Sequence, residues 1–277
     1  MIFEMLGPLR VGGAECVGSP VRRAMLIAFL LRARGPISSG ELAGLLWDEP
    51  PASATANIRS HLTGLRRDLD AAVPGLSGRI ITYRGVPSGY GLQVAPDELD
   101  LTRFTSAARR GRSLLLAGEL EAAIGALEEA MELWRGPFGS ELPPTRWFDA
   151  HAAGLNDARI DAFQDLFTAH LLARRTDMLS YRIESVLAEA PYRQRLWELL
   201  AAVHCVEGEA VGALDVIQRC QGMFSRDLGL DLPPNIEELR NAALNWDRDE
   251  ALRLVEARAV GSVGAVAGGF AERKRTA

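Results

Sequence analysis

The chain is almost without lysine: Lys274 is the single one among 31 basic residues. A Walker-type G-x-x-x-x-G-K-[ST] loop needs a lysine against the phosphates, and none is placed to supply it, which excludes that class of nucleotide hydrolysis. Cysteine is equally sparse. Cys16, Cys205 and Cys220 are too few and too scattered for a disulfide framework, and agree with a reducing compartment. No C-x2-C or H-x3-H spacing accompanies His204, Cys205 and Cys220, so no metal site is expected. His61, His151 and His170 lack any Ser, Cys or Asp arrangement that would make a catalytic centre, and no enzyme activity or cofactor is expected. Long apolar runs are missing too. The longest, Ala24 to Leu31, is far short of a bilayer span and is bracketed by Arg23 and Arg32. The N-terminus has no basic region ahead of an apolar core, so no secretory signal is read and a cytoplasmic location follows.

What is present is an ordinary globular composition, 48% hydrophobic over 277 residues, enough for two domains with separate cores. The net charge of −5 hides an asymmetry. Residues 1–95 hold ten arginines against seven acidic residues, whereas the rest holds 21 basic and 29 acidic. Arginine suits bidentate contact with phosphate or guanine, although a bias toward arginine also follows from high genomic GC content.

The N-terminal part reads as short strands near 3–6 and 9–11, then three helices. The first, Val21 to Arg34, is apolar nearly all round, opens with Ser19 as cap and Pro20 in the first turn, and ends at Gly35-Pro36. The second follows a capping box at Ser38 and Glu41. After Asp48 to Ser53, where Ser53 can cap, the third runs from Ala54 to Leu69. Its Ile58, Leu62, Leu65 and Leu69 share one stripe, and Arg59, Ser60, Thr63, Arg66 and Arg67 lie off it with no carboxylate before Asp68. Such a face suits phosphates and base edges, and is also what any solvated amphipathic helix shows. Strands at 79–82 and 90–94, joined through Tyr83 to Gly89, complete the order of a helix-turn-helix with a wing.

Pro96-Asp97-Glu98 marks a join, beyond which helix follows helix. Trp197, Leu200, Ala201 and His204, then Ala213, Ile217 and Cys220, fit the offsets of a tetratricopeptide unit. Gly111, Ala123, Leu127 and Ala130 fit an earlier unit, and Leu179, Ile183, Val186 and Pro191 half of another. Trp134, Trp147, Trp197 and Trp246 fall in helical periods and read as core. The expected fold is therefore mainly α, with a winged helix over 1–95, an all-helical tetratricopeptide-like domain over 96–259 and a disordered tail over 260–277.

LGPLRV near the start, ISSGELAGLLWDEPPASATANIRSHLTGLRRDL, Gly89-Tyr90 at the wing, ELDLTRF, LWRGP at 133–137 and RDLGLDLPPNIEELR together resemble the Streptomyces antibiotic regulatory protein (SARP) family. That resemblance covers residue 2 to about 246. It implies a response-regulator-type winged helix joined to a bacterial transcriptional activator domain, and pathway-specific activation of an antibiotic or other secondary-metabolite gene cluster. The implied partners are double-stranded DNA bearing direct repeats near the −35 element, and RNA polymerase holoenzyme. The resemblance places DNA contacts at Asn57, Arg59, Ser60, Thr63, Arg66 and Arg67, a wing contact at Arg84, and a polymerase-contacting loop at Asp48 and Glu49. Gly64 departs from relatives that carry arginine there, implying relaxed readout or a closer backbone approach to DNA. Because one winged helix reads a short site, a homodimer on repeats about one helical turn, roughly 10 to 11 base pairs, apart is expected. A second class stays open: an interaction scaffold, or a repressor, using the same two domains.

Overall fold

A helix that is apolar all round has no face to offer solvent, and the N-terminal elements are assembled about one such helix. In the computed structural model, which describes residues 1–32, 35–85 and 88–271 with side chains as far as Val260, that helix is α1, Pro20–Leu31. Seven consecutive residues from Ala24 to Leu30 are buried. Before it, β1 (Phe3–Glu4) and β2 (Arg10–Val11) pair antiparallel. After it come α2 (Ser39–Leu46) and α3 (Ala54–Ala72), then β3 (Ile80–Tyr83) and β4 (Gly89–Leu92), paired antiparallel with Ile80 opposite Leu92.

The capping box is present: the Glu41 N–H donates to Ser38 Oγ at 3.2 Å, and Glu41 accepts the Ser38 N–H at 2.9 Å. The Ser38 N–H first, and then the Ser38 side chain, hold the Glu41 carboxyl below its ordinary range. The other two expected caps are absent. Ser19 and Ser53 make no capping bond; Ser53 Oγ instead accepts from Asn57 Nδ2 at 3.1 Å, within one turn of α3. Helix α1 stops at Leu31, and Arg34 lies outside the described residues. Helix α3 runs one turn past Leu69, because nothing before Val73-Pro74 interrupts it. The β3–β4 hairpin is anchored by Ile37, which exchanges backbone hydrogen bonds with Tyr90 at 2.8 and 2.9 Å. Gly89 permits that approach, since a Cβ there would lie 2.5 Å from the Ile37 carbonyl oxygen.

The remaining helices are α4 (Asp100–Leu116), α5 (Leu120–Met131), α6 (Arg146–Leu172), α7 (Leu179–Glu189), α8 (Gln194–Glu207), α9 (Ala210–Leu228), α10 (Pro234–Leu244) and α11 (Arg248–Ala271). The chain divides into two compact units that do not follow the expected boundary at 95. The first joins Met1–Ser106 to Ala130–Ala158; the second joins Ala107–Glu129 to Arg159–Ala277. The physical reason lies in the first core, where Leu99, Phe138 and Phe148 are buried together with Phe3, Met25, Phe29 and Leu65. Residues 130–158 are thus part of the same hydrophobic cluster as the three N-terminal helices.

A buried carboxylate fixes this arrangement. Asp100 is 0% exposed; it accepts the Leu6 N–H at 2.9 Å and the Leu101 N–H at 2.8 Å, and lies 3.5 Å from Arg135 Nη2. Arg135 also donates to the Pro8 carbonyl at 2.6 Å, and its own N–H donates to the Leu6 carbonyl at 2.9 Å. Burial pushes the Asp100 carboxyl up, against the pull of these N–H groups and of Arg135.

In the second unit the small residues sit where the repeat offsets require them. Gly111 lies against Leu127, with no room for a Cβ, which would come 2.5 Å from Leu127 Cγ. Trp197, Leu200, Ala201, Ala213, Ile217 and Cys220 are buried at the α8–α9 hairpin, and Gly212 abuts the His204 ring. Trp197 Nε1 donates to the Pro191 carbonyl at 2.8 Å. One expectation fails here: Trp246 is 66% exposed, because the chain reverses at it with φ of 56° and turns the ring out of the core. Helix α11 extends as far as Ala271, and 272–277 lie outside the described residues.

Removing one partner of a buried ion pair costs about 3–5 kcal/mol, and the lower end applies because the pair is not hydrogen-bonded at 3.5 Å and Arg135 keeps Glu4 at 3.6 Å. Asp100→Ala is therefore expected to destabilise the first unit by about 3 kcal/mol, measured as a lowered urea midpoint. An unchanged midpoint would show that the carboxylate is dispensable.

Candidate nucleic-acid interface

Helix α3 buries Ala54, Ile58, Leu62, Leu65 and Leu69, and this stripe decides which side chains remain outside. Arg59, Ser60, Thr63 and Arg67 are exposed; Asn57, His61, Gly64 and Arg66 are half-buried. Among the described residues, Arg59, Ser60 and Arg67 make no side-chain hydrogen bond or ion pair. Thr63 Oγ1 donates to the Arg59 carbonyl at 3.1 Å, which leaves its lone pairs outward. Arg59, Thr63 and Arg67 are spaced four apart, so at 1.5 Å per residue they form a line about 12 Å long, comparable to the width of a major groove.

The structure separates the expected contacts into two groups. Arg66 is engaged within the protein: its Nη2 donates to the Ile80 carbonyl and to Thr82 Oγ1, both at 3.2 Å, tying α3 to β3. Asn57 is engaged with Ser53. Arg84 is exposed beyond β3 at the entry to the hairpin turn, whose Val86 and Pro87 lie outside the described residues. In the loop before α3, Asp48 accepts the Arg146 N–H at 3.2 and 3.4 Å, binding the first turn of α6, with Thr145 Oγ1 donating to the Leu45 carbonyl beside it. Glu49 is exposed and makes no such bond among the described residues.

The Arg22 side chain from α1 crosses Gly64, and a Cβ there would meet Arg22 Cδ and Nη1 at 3.0 Å, so the arginine would have to shift by a few tenths of an ångström. Arg22 reaches over the glycine to Asp68, its Nε donating to Oδ2 at 2.7 Å. The bare helix surface at 64 thus admits the cation that neutralises the carboxylate at this end of the arginine line. Arg22 had no signal in its own neighbourhood of sequence. The spacing of Gly64 and Asp68, one turn apart on the same side of α3, is the only hint of it.

In the second unit, burial pushes the Cys205 and Cys220 thiols up to about 11 and about 12. His204, Glu207 and Glu209 bring ligand atoms within 4.8 Å of one another among the described residues, but both carboxylates face solvent and His204 Nδ1 already lies 3.2 Å from Glu209.

Two hydrogen bonds at 3.2 Å to a partly buried strand contribute about 1 kcal/mol together once solvent exchange is counted. Arg66→Ala is expected to lower thermal stability by that order, whereas Arg67→Ala, outward and unpaired, should leave the melting temperature within about 1 °C. Equal melting temperatures for the two variants would remove Arg66 from its place as a link between helix and hairpin.

Residues 99–244, more than half of the chain, match the model of the bacterial transcriptional activator domain. Transcriptional regulatory protein EmbR of Mycobacterium tuberculosis is 28% identical over 265 residues, 94% of this chain and 68% of its own length. Regulatory protein AfsR of Streptomyces coelicolor is 31% identical over 253 residues, covering 88% of this chain and 24% of AfsR. A solved structure of M. tuberculosis EmbR in complex with a low-affinity phosphopeptide aligns with 96% of this chain and 70% of that one, at a TM-score of 0.84 and 27% identity. No helix among the described residues is long and apolar enough to cross a membrane. The chain belongs to the bacterial transcriptional activator domain family, within the SARP group of transcriptional regulators that its motifs resemble.

Proposed function

We propose that residues 1–95 form a winged helix-turn-helix and that the chain is a cytoplasmic, sequence-specific DNA-binding activator of a secondary-metabolite gene cluster. In this reading α3 is the recognition helix in the major groove, and the β3–β4 hairpin is the wing, with Arg84 on the neighbouring backbone. The observation that carries it is the outer face of α3: Arg59, Ser60, Thr63 and Arg67 stand exposed along it, Asp68 is paired with Arg22, and Asp70 accepts the Ser77 N–H. Arg66 and Asn57 support the interface from within, holding the helix against β3 and ordering its first turn. The helical region is a tetratricopeptide-like scaffold, and regulation proceeds by binding alone, without catalysis.

Two copies bind head to tail on direct repeats near the −35 element, since one short helix cannot specify a promoter unaided. RNA polymerase holoenzyme is then recruited by the loop before α3. Within that loop Glu49 is the residue available to a partner, while Asp48 also holds the first turn of α6.

A mobility-shift titration on promoter DNA carrying the repeats is expected to give a log affinity that falls linearly with log salt. Arg84→Ala should weaken all sites alike and reduce the slope by about 1, as for one lost phosphate contact. Salt-insensitive or absent binding would leave the scaffold reading instead. With purified polymerase, Glu49→Ala is expected to lower transcription while DNA affinity stays within about twofold, a change of roughly 0.4 kcal/mol. Undiminished transcription would make the loop a connector only.

A further inference from the structure

Two chain reversals of the second unit meet at one hollow. Gly208 and Ala210, from the turn between α8 and α9, line it together with Ala242, Ala243, Trp246 and Asp247, from the end of α10 and the turn into α11. Trp246 keeps more than half of its surface exposed there, and so do Leu244 and Val211, each next in sequence to a lining residue. Large apolar groups held outward together mark a contact surface, and tryptophan is prominent among the residues that anchor one. The left-handed backbone at Trp246, φ 56°, is one that bulky residues rarely adopt.

The rim of the hollow is acidic. Glu207 and Glu209 flank Gly208 and face solvent, with Glu209 Oε2 3.2 Å from His204 Nδ1. Asp247 is exposed as well and accepts the Glu250 N–H at 2.9 Å. Against these carboxylates stands Arg248, whose guanidinium lies on Gly208. The two carboxylates that follow are balanced within the unit, Asp249 by Arg174 at 3.1 Å and Glu250 by Arg253 at 2.7 Å. An occupant that brings cations would meet both the carboxylates and the face of the indole, while its aliphatic stems covered the apolar groups. An acidic occupant would only crowd like charges.

The chain contains three cations in succession at one place, Arg273-Lys274-Arg275. That run follows α11 and lies outside the described residues. Helix α11 starts at Arg248, two residues past Trp246, and extends to Ala271, so at 1.5 Å per residue its far end is about 35 Å away. The stretch from Ala271 to Arg275 spans at most roughly 14 Å. A copy's own run therefore falls short of its own Trp246, whereas the run of a second copy is under no such limit.

We propose that Arg273, Lys274 and Arg275 of one copy dock on the acidic, tryptophan-bearing surface at Trp246 of a second copy. The contact joins two different surfaces and so pairs copies head to tail, as direct repeats require and a two-fold symmetric contact would not provide. This pairing rests for its role on the repeat-binding reading above, but it forms without DNA.

Sedimentation equilibrium of the full chain, with EDTA present and over the micromolar to millimolar range, should show self-association that weakens as salt rises. Reversing the run (R273E, K274E and R275E together) should weaken association about tenfold or more, and so should reversing the rim (E207R with E209R). Far-UV circular dichroism checks that both variants fold. Mixing the two should restore association, because each then carries the complement of the other. A natural chain that stays monomeric throughout, association that survives reversal of the run, or a mixture that does not associate overturns the proposal. Loss on reversing the rim alone would place another part of the second copy on the surface, and overturns it too. A mobility shift on a single half-site, which one copy can occupy, separates this failure from that of the DNA reading: a retained shift leaves DNA binding standing while the tail contact falls.

Discussion

The first unit depends on one constraint: four apolar side chains of α3, Ile58, Leu62, Leu65 and Leu69, must all enter the same core. A helix has one rotation that satisfies this, and it turns Arg59, Ser60, Thr63 and Arg67 outward together. Burying a large aliphatic side chain is worth about 1.5–3 kcal/mol, so the stripe outweighs any preference the polar residues could express. The functional face is what remains once the core has been filled. Its chemistry is set by which polar groups find partners inside the protein and which do not.

Those partners explain why apparently equivalent arginines differ. Arg59 and Arg67 are exposed, Arg66 is tied to β3, Arg22 crosses Gly64 to cover Asp68, and Arg135 meets buried Asp100. A glycine inside a helix costs about 1 kcal/mol relative to alanine. At position 64 that cost admits Arg22, and the pairing removes a negative charge from the end of the polar face.

Much of the architecture was legible because it is local. The α3 stripe, the Ser38–Glu41 capping box and the small residues at Gly111, Ala123 and Ala213 are periodic or fixed-offset signals, and each sits in the expected element. What escaped depends on long-range contact. Nothing near Phe138 or Phe148 indicates that residues 130–158 share a core with residue 3, and the spacing of Trp246 could not reveal that the chain turns at its own backbone. The candidate site divides the same way. Exposure of Arg59, Ser60, Thr63 and Arg67 follows from helical period, whereas the engagement of Arg66 with Ile80 and of Asp48 with Arg146 spans 14 and 98 residues.

The central claim is that the outer face of α3 lies in the major groove of repeated half-sites. Hydroxyl-radical footprinting of promoter DNA carrying direct repeats tests it most directly. The account predicts two protected segments about one helical turn apart, both lost when Arg59, Ser60, Thr63 and Arg67 are replaced together by alanine in a chain that still folds. Protection that persists in that variant would contradict it.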